Sequence, residues 1–131
     1  MNGSIAMRHP VKTHLPSEEA PIEWAVTADG VLYTAQIPIR EDGSIETGDM
    51  SLQADLTFAN LKRTVEAAGG TLDDVTQVLV YLTRKEDFQA MNGVYRRYFG
   101  KPFPNRATVI VAGLMVPGAA IEIVAYAHLN R

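Results

Sequence analysis

Pro104-Asn105-Arg106-Ala107-Thr108-Val109-Ile110-Val111 is a short apolar run that opens on a single arginine. Bounded by Pro102 and Pro104 before it and Gly113 after it, the run reads as a buried strand of about six residues. Arginine keeps its charge inside a protein, so Arg106 at the start of such a strand requires a carboxylate, a cluster of carbonyls or an anionic ligand. In the same half of the chain the candidate carboxylate is Glu122, set inside a second apolar run, Ile121-Glu122-Ile123-Val124-Ala125-Tyr126-Ala127. Two charges in two apolar strands make one constellation. The pattern leaves open whether it is a structural ion pair, two strand-end charges reaching solvent, or a site.

Working back from that stretch, Lys85-Glu86-Asp87 opens a helix that runs through Phe88, Met91, Tyr95 and Tyr98, three or four apart, with Gly100 as a stop. The spacing makes this aromatic stripe a core face before it makes it a ligand box. Residues 75–82 read as a central strand, with Val, Leu and Tyr on both faces. Between 51 and 68, Ala54, Phe58, Leu61, Val65 and Ala68 follow the period of one helix face while Asp55, Lys62 and Glu66 turn outward; Asp49 or Ser51 is placed to cap the start and Gly69-Gly70 ends it. Strands are expected over 22–26 and 31–39, joined by a hairpin turn at Ala28-Asp29-Gly30, with a surface loop or short ribbon to Gly48. Residues 1–16 show no period and are expected to form an N-terminal arm ahead of one domain over 17–131.

The whole chain limits the classes of function. Its 131 residues suffice for a single domain with its own core, and it contains no cysteine, which removes thiol catalysis, disulfides and cysteine-based zinc sites. The net charge of −3 lacks the basic stripe of a nucleic-acid binder. His9, His14 and His128 show no metal-ligand spacing, so no metal is expected. No apolar stretch approaches the roughly twenty residues of a membrane span, and no signal-peptide core follows the first residues, which makes a cytoplasmic protein the default expectation.

Strand, helix, strand, helix, strand implies two right-handed crossovers with both helices on one sheet face. In 121–127 the odd positions are wholly apolar and suit the helix side; Glu122, Val124 and Tyr126 then point to the other face. Because that face is apolar in the remaining strands too, a second copy of the chain is expected to cover it, which places Glu122 in or near a cleft between subunits.

Gln36-Ile37-Pro38, Val65-Glu66-Ala67-Ala68-Gly69-Gly70 with Asp74-Val75, Phe88 with Met91-Asn92 and Tyr95, Phe103-Pro104-Asn105-Arg106, and Ile121-Glu122-Ile123 with Ala125 together resemble the RidA/YjgF family, from about Pro21 onward. The resemblance implies a chorismate-mutase-like α+β fold, a mixed sheet with two helices on one face, assembled as a homotrimer with three clefts between subunits. It implies, further, a deaminase that hydrolyses reactive 2-imino acids to 2-keto acids and ammonia without a cofactor. Carried over by position, Arg106 matches the family arginine that binds the substrate carboxylate and Glu122 the glutamate that positions water. Thr34 falls where many members have serine, Asn92 on the family asparagine, and Thr108 where cysteine is frequent. Ile22 stands in place of the common tyrosine, which bears on the substrate range. The alternative is a trimeric protein that binds keto acids or other small carboxylates without turnover.

Overall fold

The computed structural model describes residues 5–17 and 19–129. Its elements in chain order are β1 (His9–Pro10), β2 (Ala25–Ala28), β3 (Val31–Gln36), α1 (Met50–Ala67), β4 (Val75–Leu82), α2 (Phe88–Tyr98), β5 (Asn105–Ile110) and β6 (Ile121–His128). They form one six-stranded sheet in the order β1-β2-β3-β6-β4-β5, in which only β4 and β5 are parallel neighbours. The hairpin between β2 and β3 turns on Asp29 and Gly30, both at positive φ (51° and 77°), the conformation that an Asp-Gly turn supplies. Strand β6, last in sequence, inserts antiparallel between β3 and β4, so the crossover through α1 skips one strand and the crossover through α2 joins neighbours.

Helix α1 forms where the apolar period placed it. The Asp49 carboxylate accepts from the Leu52 N–H at 3.1 Å as its N-cap, and the chain leaves the helix through Gly69 at φ +92°. Ala54, Phe58, Leu61 and Val65 are fully buried against Leu32, Val78, Val80, Ile121, Ile123 and Ala125, and α2 adds Met91, Val94 and Tyr95 to the same core. Burying each of the larger side chains contributes about 1.5–3 kcal/mol. A second, polar stripe on α1, invisible to a hydrophobic-period reading, is also buried: Gln53, Thr57, Asn60 and Thr64. Gln53 and Asn60 fasten loops, while Thr57 donates to the Gln53 carbonyl one turn back on the helix. Gln53 accepts from the Ala120 N–H and donates to the carbonyls of Gly48 and Gly118; Asn60 donates to those of Ile37 and Ile39; Thr64 accepts from Gln36.

Three details differ from the sequence reading. Strand β2 begins at Ala25 rather than 22, and β3 stops at Gln36, ahead of Pro38, with one further bridge from Ile39 to Ile45 forming the short ribbon. The described part of the N-terminal arm is packed: β1 pairs with β2, and Leu15 buries with Ile37 and Ile39 in a second small core. Most consequentially, β5 is not a buried strand. It lies at the sheet edge with β4 as its sole neighbour, and Val109 and Ile110 remain 45% and 51% exposed. An apolar run records that something covers a strand, but not whether the cover comes from the same chain.

Both helices lie on one sheet face. The other carries Tyr33, Ala35, Leu79, Tyr81, Val109, Glu122, Val124 and Tyr126, none of them fully buried, with Tyr33 and Tyr126 packed edge to face at 5.5 Å. No helix among the described residues is long and apolar enough to cross a membrane.

Candidate active site

The site is built where α2 crosses the start of β5. Register fixes the direction of Arg106: it pairs with Val78 of β4, which pairs in turn with Ala125 of β6, and both of these are buried on the helix side. On α2, Phe88, Asn92 and Tyr95 stand at i, i+4 and i+7, one face of two turns. That face meets the guanidinium, whose central carbon lies 4.5 Å from the Tyr95 ring centroid and 5.9 Å from that of Phe88. Stacking of this kind uses the π faces and leaves the N–H edges of an arginine available to a ligand.

Those edges open on a cavity of about 220 Å³ lined by Asn92, Tyr95, Arg96, Phe103, Pro104 and Arg106. Two cations and no carboxylate line it. Among the described residues Arg106 makes no ion pair and no side-chain hydrogen bond. The Tyr95 hydroxyl is buried and equally without a partner. Burial raises the Tyr95 pKa, and the nearby Arg106 charge opposes that shift, so the phenol is a neutral donor at physiological pH.

Glu122 lies elsewhere. It pairs with Tyr81, which pairs with Val109, all on the face away from the helices. The sheet therefore separates Glu122 from Arg106 within one chain, and the structural ion pair that the sequence left open does not form. Burial raises the carboxyl's pKa above the ordinary glutamate value; no neighbouring charge contributes to the shift.

Of the other candidates, Asn92 shares the Arg106 cavity, and Thr108 lies two residues along β5 on the same face. Thr34 is buried, its hydroxyl donating to the Trp24 carbonyl at 2.6 Å and accepting from Gln36, so its single proton is already committed. Ile22 is exposed and lines a different cavity, of about 610 Å³, between the arm and Trp24. Tyr95 belongs to the core, as its spacing predicts, and also lines the cavity; Arg96 and Phe103 line it too without being candidates from the sequence, and the i, i+4, i+7 spacing of Phe88, Asn92 and Tyr95 is the signal for a shared face. Among the described residues no cluster of three or more His, Asp or Glu could hold a metal ion.

The family model described as Endoribonuclease L-PSP matches residues 13–129. The chain belongs to this family, the RidA/YjgF group. A relative from Pyrococcus horikoshii, a RutC family protein, is 41% identical over 115 residues, 86% of this chain and 90% of its own. A Rid-family structure from Yersinia pestis, described as of unknown function, superposes with a TM-score of 0.87 at 31% identity, covering 92% of this chain and 98% of that one. The structure of E. coli TdcF with bound serine superposes with a TM-score of 0.83, also at 31% identity and over the same shares. These likenesses agree with the observed α+β fold, a mixed sheet with two helices.

Proposed function

We propose that this protein is a deaminase that hydrolyses small reactive 2-imino acids to 2-keto acids and ammonia, in clefts between copies of the chain assembled as a trimer. The observation that carries the reading is Arg106, an unpaired guanidinium that lies over the Tyr95 ring and lines a cavity without a carboxylate. A planar fork with free edges binds a carboxylate through two parallel hydrogen bonds and so fixes the adjacent imine carbon at a repeatable position. Water adds to that carbon, the tetrahedral amino alcohol collapses, the C–N bond breaks, and ammonia leaves with the proton that the nucleophile gave up. No cofactor takes part in these steps.

Glu122 is the group proposed to orient and deprotonate the water. A carboxylate with a raised pKa is a stronger base once ionised, which suits that role. Because it faces away from Arg106 in one chain, it is supplied by an adjoining copy packed on the apolar sheet face. Asn92 and the backbone and hydroxyl of Thr108 are the polar groups assigned to the substrate around Arg106; Thr34 and Ile22 are assigned to the wall that a second copy contributes. The serine held by TdcF supports a small amino-acid-like ligand.

The test is the decay of freshly generated 2-iminobutanoate with wild-type protein, with Arg106→Ala and without protein. Loss of a charge-assisted pair is expected to lower kcat/KM by about 10- to 100-fold. No acceleration by the wild type would refute the deaminase. A second reading, a binding protein for small carboxylates without turnover, draws on the lack of any base beside Arg106 in the single chain; it requires saturable heat with pyruvate, lost in Arg106→Ala, and no turnover. Cleavage of RNA, the activity in the family description, finds less support: the net charge is −3 and no histidine lines the cavity.

A further inference from the structure

Helix α2 ends on two arginines, and they are used differently. Arg97 reaches back to α1 and pairs with Asp55 at 3.4 Å. Arg96 has no ion pair or hydrogen bond among the described residues and lines the cavity with Arg106. A cation in the last turn of a helix is favourable in itself, and Arg97 alone illustrates that use. What end-of-helix placement does not explain is a second guanidinium on a cavity that already holds one and to which this chain contributes no acid.

From this we infer that the site selects dianionic substrates, 2-imino or 2-keto dicarboxylic acids of four or five carbons, with the reacting carboxylate on Arg106 and the distal one on Arg96. The inference rests on the reading of Arg106 as the carboxylate-binding group and narrows it. Phe103, Pro104 and Tyr95 give this cavity apolar walls suited to a short methylene chain, and Asn92 adds an amide. At about 220 Å³ the cavity lies below the roughly 300–1,000 Å³ of pockets for drug-sized molecules, a size that fits a small acid. The chemistry is unchanged: water adds to the imine carbon, ammonia leaves, and the distal carboxylate takes no part in bond making.

The experiment compares the binding of 2-oxoglutarate, its 5-amide, which keeps only the charge of the 2-keto carboxylate, and 2-oxobutanoate by calorimetry, to wild-type protein and to Arg96→Gln. Arg96 is exposed, so the substitution leaves the core intact. One additional charge-assisted contact at a partly solvated position is expected to favour 2-oxoglutarate over its amide by about tenfold in the wild type, and the ratio is expected to fall to near one in Arg96→Gln. The preference should also shrink with added salt. Equal affinities for acid and amide, or a preference that survives Arg96→Gln, overturns the inference while leaving the binding of 2-oxobutanoate, and with it the reading of Arg106, intact. No binding of any of the three overturns both.

Discussion

Tyr95→Phe is expected to make the unliganded protein more stable and the liganded one less so. The Tyr95 hydroxyl is buried without a partner, and an unsatisfied buried hydroxyl costs about 1–3 kcal/mol. Its removal recovers part of that cost and forfeits the few dispersion contacts of one oxygen, for a net gain of about 1 kcal/mol. The ring stays, and with it the stacking on Arg106 at 4.5 Å and the contacts with Phe58 and Phe99 at 5.5 and 4.7 Å. Urea unfolding at fixed protein concentration, with and without saturating 2-oxobutanoate, measures both effects; a gain of this size moves the thermal midpoint upward by a few degrees. If the hydroxyl serves the bound acid, the ligand should stabilise Tyr95→Phe less than it stabilises the wild type. A loss of about 1 kcal/mol or more in the unliganded variant would refute the reasoning, since it would mean that the hydroxyl is already satisfied, by water or by an adjoining copy.

Other substitutions separate catalysis from folding. Glu122→Gln should abolish turnover yet stabilise the fold at neutral pH. Burial makes the folded state hold this proton to higher pH than the unfolded state, so stability falls as pH rises from the unfolded pKa through the raised folded one; the variant should lack that part of the slope in a series of unfolding curves from pH 4 to 8. Asn60→Ala removes hydrogen bonds to the carbonyls of Ile37 and Ile39 and the contact with His14 at 2.9 Å, and should cost about 2–4 kcal/mol in chemical denaturation. Tyr98→Phe deletes the hydrogen bond to Asp55 at 2.8 Å and should cost about 1 kcal/mol at neutral pH. In the wild type, burial and that bond push the Tyr98 pKa to about 12, so the stabilisation is complete below the unfolded value near 10 and is lost as pH rises toward the folded one, which alkaline unfolding of the two proteins would reveal.

The parts of the fold legible in the sequence were those written in a single period. Ala54, Phe58, Leu61 and Val65 declared α1, and Ile121, Ile123, Ala125 and Ala127 declared the helix side of β6, because each set repeats on the face that its own chain buries. Asp29-Gly30 declared the hairpin through backbone conformation alone. The polar stripe Gln53, Thr57, Asn60 and Thr64 escaped because side chains buried through hydrogen bonds leave no hydrophobic period. Strand β5 was misread for the opposite reason, since Val109 and Ile110 are apolar and yet this chain does not cover them. Arg106 and Glu122 were both legible as charges in apolar strands, but their separation depends on the register through β4, which no local pattern encodes.

The most direct test of that separation is subunit mixing. Arg106→Ala and Glu122→Ala chains, each expected to be strongly impaired alone, are unfolded together, refolded as mixed assemblies and assayed for 2-iminobutanoate hydrolysis. If each cleft draws its arginine from one copy and its glutamate from another, mixing restores intact clefts, roughly a quarter of them for random assembly in equal proportions. Activity that stays at the level of the separate variants, in assemblies shown to be mixed, would contradict a site shared between faces of two copies.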